Sequence, residues 1–205
     1  VVTATAEARL VDVTFEVTVP AYTPGTAYLS FTVNPDGTLN LWNPGGTAMA
    51  RANSTTFTKT LTILDGTLFE YKVARGSWDT VEKEADGNTE IPNRSLTVDF
   101  GTNGTQLVQI TVQNWRDPIV TSLTPAHGSA NVLPETVITA VWNQAMPATP
   151  NSGFQVMGPD GVVSGTFGYD GATFTHVFTP SAPLTQGATY TVTIAFRNEL
   201  DTWGN

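Results

Sequence analysis

Two tryptophans stand in segments whose composition predicts loops rather than strands. Trp42 comes directly before an Asn-Pro-Gly-Gly turn, and Trp78 follows a Gly-Ser pair. A sugar ring stacks its C–H face on an indole, while its hydroxyls bond to amide, ammonium and carboxylate groups. Lys72, Asn88 and Asn93 lie near Trp78 in the sequence and carry such groups. The pattern predicts a sugar-binding platform, with the alternative that both indoles plug the end of a folded core.

A cluster of carboxylates occupies the polar segment after Trp78: Asp79, Glu82, Glu84, Asp86 and Glu90. Two carboxylates that face one bond act as acid and base in glycoside hydrolysis, although a charge run within one loop is more typical of a solvated edge. Asp86, Asn88 and Glu90 space oxygen ligands two residues apart, as calcium loops do, but the later glycine and bidentate glutamate of an EF-hand are missing. Calcium binding stays an alternative interpretation.

The rest of the sequence offers little for catalysis. Ser164 is not framed as Gly-x-Ser-x-Gly, and the two histidines, His127 and His176, fall in a turn and in an alternating strand. The chain has no cysteine, so it has neither a disulfide nor a thiolate metal site. We therefore expect a non-catalytic protein with no cofactor and no bound metal.

Strand and turn signals dominate the first half of the chain. Charged residues make up only 13% of the sequence, and the frequent Thr, Val, Gly and Asn favour strands and turns over helices. Alternation predicts strands at 11–19, 26–33, 39–42, 55–64, 68–74, 95–100 and 107–112. The Asp-Gly turn between 55–64 and 68–74 predicts that these two pair as a hairpin. In the second of them, Tyr71 is predicted to face the core and Lys72 to face out.

A second series of strands follows with fewer charges and more small residues. It is predicted at 137–142, 153–157, 161–169, 173–179 and 189–195. We therefore expect an all-β fold of two immunoglobulin-like β-sandwich domains in tandem. The predicted divisions are 1–11 as a leader or the stub of an upstream domain, 12–118 as the first sandwich and 119–205 as the second.

Charge and hydropathy narrow the range of partners. The formal net charge is −9, with no basic stripe to neutralise phosphates, so nucleic acid and anionic membranes are poor candidates. No apolar run approaches the roughly 18 residues of a membrane span. The absence of an initial methionine favours a piece of a longer chain, and low Lys with high Thr and Asn favours a secreted or cell-surface protein.

Five short motifs in the first half match one protein family. They are Val-Thr-Phe-Glu-Val-Thr-Val at 13–19, Leu-Trp-Asn-Pro at 41–44, Phe-Glu-Tyr-Lys-Val at 69–73, Pro-Asn-Arg at 92–94 and Trp-Arg at 115–116. With them, residues 12 to about 118 resemble a starch-binding carbohydrate-binding module of family 20. The resemblance implies a β-sandwich that binds α-glucan without catalysis.

That resemblance also implies roles for particular residues. Trp42, Lys72 and Asn93 match residues of the first glucan site. The Trp-Glu pair of that site falls on Lys83-Glu84 here, so the resemblance implies Glu84 as a ligand and leaves Trp78, five residues before Lys83, as a substitute stacking ring. Tyr22 matches an aromatic of a second site, and Trp115 matches a structural tryptophan.

The second half resembles the bacterial Ig-like domains of surface-layer proteins and of spacers in secreted glycoside hydrolases. The motifs are Pro-Ile-Val-Thr-Ser-Leu-Thr-Pro at 118–125, Val-Trp-Asn-Gln-Ala-Met at 141–146 and Thr-Tyr-Thr-Val-Thr-Ile at 189–194. Trp142 would occupy their aromatic core position. Together the two resemblances imply a monomeric accessory region, covalently linked to the catalytic domain of an extracellular amylase or pullulanase of the family 13 type. The alternatives are purely structural spacer domains, and a module for calcium or another glycan.

Overall fold

A computed structural model describes residues 7–32, 41–150 and 153–194. The chain divides into two compact units, Val1–Asp117 and Pro118–Asn205. Both units consist of strands and connecting turns, which confirms the all-β, sandwich-type fold class predicted from the sequence. The described part of the chain contains one short 3₁₀ turn, Trp78–Thr80, and no α-helix.

The described residues of the first unit form ten strands. They are β1 (Leu10–Thr18), β2 (Tyr28–Phe31), β3 (Thr47–Ala48), β4 (Ala50–Arg51), β5 (Thr56–Leu64), β6 (Leu68–Ala74), β7 (Glu82–Lys83), β8 (Arg94–Thr97), β9 (Thr105–Thr111) and β10 (Asn114–Trp115). One sheet has the order β4-β5-β1-β9, a second has the order β3-β2-β6-β8, and β7 pairs with β10 in a small ribbon. We call the first the β1 sheet and the second the β6 sheet.

Strict alternation in β1 explains why the two sheets of this unit pack face to face. Odd-numbered residues from Val11 to Val17 are buried, while the even-numbered ones are exposed or partly exposed. Phe15 of the β1 sheet meets Phe31 and Tyr71 of the β6 sheet at ring-centroid distances of 5.9 and 5.4 Å, in edge-on geometry. These aromatic contacts form the centre of the core between the two sheets.

The predicted hairpin between residues 55–64 and 68–74 is wrong. Both strands form, but β5 pairs with β1 and β4, whereas β6 pairs with β2 and β8. The Asp-Gly turn carries the chain from one sheet to the other, because the amide of Gly66, whose φ is 80°, donates to the carbonyl of Val98 instead of closing a ladder. β5 and β6 therefore lie in different sheets, and each packs its apolar side chains against the same core.

The strands predicted at 11–19, 26–33, 95–100 and 107–112 form with shifted ends, as β1, β2, β8 and β9. β1 begins at Leu10, inside the stretch assigned to a leader or stub, and β8 is shorter than the predicted 95–100. The residues at 41 and 42 lie in a turn and not in the strand predicted at 39–42. The earlier half of that strand and the last residue of the strand predicted at 26–33 lie outside the described residues.

The second unit contains seven described strands in two sheets. They are β11 (Val120–Thr124), β12 (Ile138–Trp142), β13 (Phe154–Gly158), β14 (Gly161–Val162), β15 (Gly165–Asp170), β16 (Thr175–Pro180) and β17 (Thr191–Ile194). Their orders are β11-β12-β16-β15 and β14-β13-β17. The predicted strand at 161–169 is therefore two strands, which lie in different sheets. A core of five residues lies within this unit: Ile138, Ala140, Phe154, Val156 and Phe178.

Candidate carbohydrate-binding site

The two loop tryptophans lie against each other. Their ring centroids are 5.2 Å apart and their planes are inclined by 48°. Both side chains are partly exposed. Trp42 has a φ of 47°, in the left-handed region that disfavours any side chain larger than glycine. Its amide donates to the carbonyl of Phe31 at 2.6 Å, which ties this loop to the end of β2.

Glycine lets the loop after Trp42 approach the loop before Trp78. A Cβ on Gly45 would lie 3.0 Å from the carbonyl oxygen of Gly76, so a larger residue would push the two loops apart. The Thr80 hydroxyl donates to the carbonyl of Ser77 at 3.0 Å and closes the 3₁₀ turn that begins at Trp78. The inclined pair of indoles is therefore fixed by two short loops.

Lys72 lies on the face of β6 that points away from the core, as predicted, but its side chain is not exposed to solvent. The residue is 9% exposed, and its ammonium donates to the carbonyl of Ile91 at 2.6 Å and to the Glu90 carboxylate at 3.3 Å. The segment at 90–91 covers the side chain, which corrects the expectation that it faces solvent. An ammonium has three hydrogens, and these bonds use two of them.

Asn93 lies on the outer face of the same sheet and is exposed. Strand pairing sets Glu70 opposite Ser95 and Tyr71 opposite Arg94, which places Asn93 beside Glu70 and Lys72. The Asn93 side-chain nitrogen donates to the Glu70 carboxylate at 2.9 Å. Glu70 was absent from the sequence-based site, although the alternation of Phe-Glu-Tyr-Lys already places Glu70 and Lys72 on one face.

Lys83, which stands where a stacking aromatic was expected, is buried. Its ammonium contacts the Glu90 carboxylate at 2.5 Å and the carbonyl of Asn88 at 3.2 Å. Burial disfavours the charge of Glu90, but the bonds from Lys83 and Lys72 outweigh burial and lower the pKa of this carboxyl. Glu90 thus holds two lysines at once, a role that sequence reasoning missed.

Two predicted site residues are bonded to other parts of the first unit. The carboxylate of Glu84 accepts from the side-chain amide of Gln113 at 2.8 Å. The hydroxyl of Tyr22 donates to Asn114 Oδ1 at 2.9 Å, and burial raises the pKa of this phenol. Among the described residues, neither side chain hydrogen-bonds to Lys72 or Asn93. The buried indole of Trp115 donates to Thr23 Oγ1 at 2.8 Å, as its structural assignment requires.

The carboxylate cluster is occupied by partners from its own unit. Glu82 is fully buried, accepts from the backbone amide of Val73 at 2.8 Å, and pairs with the guanidinium of Arg94 at 2.7 Å. Asp86 accepts from the hydroxyl and amide of Thr89 and from the amide of Asn88, and these bonds lower its pKa to about 2. This carboxylate closes a turn, so the geometry does not favour calcium.

No arrangement of His, Asp and Glu fit for a metal ion occurs in residues 7–32, 41–150 and 153–194. His176 is fully buried in the second unit, where its Nδ1 accepts from the indole of Trp142 at 3.0 Å and its Nε2 contacts the carbonyl of Pro147 at 2.9 Å. His127 is exposed in a turn. Trp142 itself is 4% exposed and lies in the core of this unit.

Comparison with known protein families gives a match in the second half of the chain. Residues 115–205 match the family described as the bacterial Ig-like domain. The described part of the chain contains no helix that is long and apolar enough to cross a membrane. The described strands of this half form two sheets, as expected for an Ig-like sandwich.

The individual proteins to which this chain is similar in sequence include amylolytic enzymes. An amylopullulanase of Thermoanaerobacter thermohydrosulfuricus is 47% identical over 116 residues, which is 57% of this chain and 8% of the relative. An amylopullulanase of Thermoanaerobacterium thermosulfurigenes is 42% identical over 52% of this chain and 6% of the relative. An alpha-amylase of Niallia circulans is 38% identical over 55% of this chain and 8% of the relative.

A solved structure, the family 15 glucoamylase from Hypocrea jecorina, aligns with a TM-score of 0.40 and 22% identity, over 53% of this chain and 17% of that one. The chain spans less than a tenth of the length of the three amylolytic relatives.

Proposed function

We propose that the first unit is a non-catalytic module that binds α-1,4-glucan, such as starch or maltooligosaccharides, through Trp42 and Trp78. The observation that carries the proposal is the pair of partly exposed indoles, 5.2 Å apart and inclined by 48°. A flat surface would suit an extended chain of sugars, whereas two inclined faces suit a chain whose successive rings turn. α-1,4-linked glucose forms such a curved chain.

In this proposal, polar groups of the β6 sheet supply the bonds to the sugar hydroxyls. Asn93 is exposed on the outer face of the β6 sheet, and Lys72 keeps one ammonium hydrogen beyond its bonds to Ile91 and Glu90. We also propose Glu84 and Tyr22 as contacts for a longer oligosaccharide; their side chains bond to Gln113 and Asn114, which are neighbours in the sequence. Each stacked sugar ring contributes on the order of 1–3 kcal/mol to the binding free energy, the magnitude known for bases that stack on aromatic side chains. After ordering of the flexible ligand, the dissociation constant falls between roughly 1 mM and 1 μM.

Titration of the intact chain with maltoheptaose or β-cyclodextrin tests this function. Tryptophan fluorescence and calorimetry should both report binding, because the two indoles lie in the site. Trp42→Ala should weaken affinity by about tenfold or more, while Leu107→Ala, at a side chain 59% exposed on the β1 sheet, serves as the matched control and leaves it unchanged. Absence of binding by the unaltered chain at millimolar glucan would overturn the proposal.

We also propose that the chain is an accessory region of a larger extracellular glycoside hydrolase, to whose catalytic domain it is covalently linked. Its relatives carry the names amylopullulanase and alpha-amylase, and it spans only a small share of each. In this proposal the second unit is an Ig-like spacer and the chain is a monomer. His176 and Trp142 of this unit are buried and bonded to each other, so neither side chain offers a surface for a ligand. Neither unit needs nucleic acid or a membrane as a partner.

Lack of hydrolytic activity follows from the carboxylates. Glu82 is bonded to Arg94 and the Val73 amide, and Glu84 to Gln113, so both carboxylates already serve contacts within the first unit. Incubation of the purified chain with starch and pullulan should release no reducing sugar. Turnover that persists through purification, and that disappears in a Glu82→Ala and Glu84→Ala double variant shown by circular dichroism to be folded, would show that an active site is present.

A further inference from the structure

Glu70 has a backbone position that does not depend on its side chain. Its amide donates to Thr32 Oγ1 at 2.9 Å, and its carbonyl accepts from the Thr32 amide at 2.9 Å. The residue lies inside β6, flanked by β2 on one side and β8 on the other. Its side chain is exposed on the outer face of the sheet, so the carboxylate is free of any part in the core.

The carboxylate of Glu70 fixes the orientation of an amide. Asn93 Nδ2 lies 2.9 Å from Glu70 Oε2. An ionised carboxylate only accepts hydrogen bonds, so the NH₂ end of the Asn93 amide must face Glu70. The carbonyl end, Oδ1, then faces the opposite way and is presented as an acceptor.

We propose that Glu70 is a positioning residue of the candidate site: it holds the Asn93 amide so that Oδ1 accepts a hydrogen bond from a sugar hydroxyl. The inference rests on the proposed glucan-binding function and deepens it, because it gives the polarity of one ligand contact. Lys72, two residues further along the same face of β6, provides the opposite polarity, since its ammonium can only donate. Neighbouring hydroxyls of one glucose unit, each able to donate and to accept, match this pair of groups.

A double-mutant cycle on the intact chain tests the mechanism. Calorimetry with maltoheptaose is measured for the unaltered chain, Glu70→Ala, Asn93→Ala and the double variant. Glu70→Ala should weaken binding by about 3- to 10-fold, as expected for one hydrogen bond, and should have no further effect once Asn93 is alanine. If Glu70→Ala weakens binding equally in both backgrounds, or has no effect while Trp42→Ala does, the proposal is wrong. Glu70→Gln, whose side-chain oxygen still accepts from Asn93, should restore the affinity to within about twofold.

A measurement without ligand separates this inference from the proposed function. The side-chain NH₂ of Asn93 gives its own nuclear magnetic resonance signals, and relaxation of those signals reports how well the amide is ordered. The amide should be ordered in the unaltered chain and in Glu70→Gln, and more mobile in Glu70→Ala. Equal mobility in all three would overturn the positioning role whether or not glucan binds, whereas failure of glucan binding with the expected change in mobility would overturn the function alone.

Discussion

Backbone strain at Trp42 links one residue to the proposed site. A tryptophan at a φ of 47° costs energy that a glycine would not, and such strain tends to accumulate where geometry serves a function. Here the strained backbone turns the indole back onto Trp78, while the bond from its amide to Phe31 holds the loop at the end of β2. The position is thus set by the loop and not by core packing.

Substituting Trp42 in two ways separates strain from binding. Trp42→Gly and Trp42→Ala both remove the stacking surface, so both should lose affinity for maltoheptaose by about tenfold or more. The glycine variant should be more stable than the alanine variant by about 1 kcal/mol, because only alanine retains the cost of the positive φ. Urea unfolding followed by circular dichroism measures this difference, and equal midpoints would show that the backbone at this position stores no strain.

Glu82 and Glu84 provide a second contrast between neighbouring residues. Removing one partner of a buried ion pair leaves the other charge uncompensated, so Glu82→Ala should lower the free energy of unfolding by about 3 kcal/mol or more. Glu84 is partly exposed and bonded to Gln113, so Glu84→Ala should change stability by less than about 1 kcal/mol. Chemical unfolding measures the free energy of unfolding of both variants. A loss in Glu82→Ala as small as that in Glu84→Ala would mean that the pair of Glu82 with Arg94 contributes little to stability.

Residue type alone predicts Trp42, Lys72, Trp78 and Asn93 as members of one site, because sugars bind to flat apolar faces beside polar side chains. Burial of Lys72 could not be predicted in the same way. The carbonyl that accepts its ammonium belongs to Ile91, nineteen residues further on, and no local pattern says that this segment folds over the strand. Alternation of apolar and polar residues indicates only the face of the strand on which a side chain lies, so it cannot predict that a distant segment covers that face.

Strand β15 shows how an element depends on the absence of a side chain. A Cβ on Gly165 would lie 2.4 Å from the ring of Phe178, whereas a Cβ on Gly168 in the same strand would meet no heavy atom within 4 Å. Gly165→Ala should therefore destabilise the second unit by about 1–3 kcal/mol through overpacking. Gly168→Ala is the matched control and should leave stability unchanged or raise it by about 0.5–1 kcal/mol. Thermal unfolding of the two variants compares them directly, and a stable Gly165→Ala variant would show that Phe178 can move aside.

Strands β12 and β16 are joined by a bond that depends on pH. Because His176 Nδ1 accepts from the Trp142 indole, the buried imidazole is neutral, with its hydrogen on Nε2 toward the carbonyl of Pro147. Burial lowers the pKa of His176 below 6.5 and outweighs the opposing effect of the Pro147 bond. The neutral form is favoured more in the folded than in the unfolded state, so this stabilisation is fully present above pH 6.5 and is lost as pH falls toward the lowered value.

Urea unfolding of the second unit between pH 7.5 and pH 5.5 measures this loss. The free energy of unfolding should fall with decreasing pH by at most about 1.4 kcal/mol per pH unit for the single proton. His176→Gln, which cannot titrate, should remove that slope in the same pH range. A slope that persists in the glutamine variant would assign the pH dependence to other groups.

The positions of these strands were predicted well from the sequence, but the pairing of β5 and β6 was not. Alternation located β1, β5, β6 and β12 to within a residue or two because each buries one face. The hairpin assignment of β5 and β6 failed because the tight turn at Asp65 and Gly66 is equally suited to connecting two sheets. Pairing is decided by which core the apolar face must reach, and that information lies in distant strands.

At the scale of the whole molecule, the two units have separate cores. The first unit is centred on the aromatic contacts of Phe15, Phe31 and Tyr71, and the second on the cluster that includes Phe154 and Phe178. A unit with its own core can fold alone. The proposed division of labour, binding in the first unit and spacing in the second, therefore predicts that the two activities can be separated by cutting the chain.

Production of residues 1–117 and 118–205 as separate proteins tests that division. Both pieces should fold, with circular dichroism spectra typical of strands and with cooperative thermal unfolding, because neither loses core residues in the cut. The first piece should bind maltoheptaose with the affinity of the intact chain, since Trp42, Trp78, Lys72 and Asn93 all lie within it. The second piece should show no heat of binding and no change in the fluorescence of Trp142, which is buried. Binding by the second piece, or loss of binding by a first piece that remains folded, would mean that the site needs the Ig-like unit and that the spacer assignment is wrong.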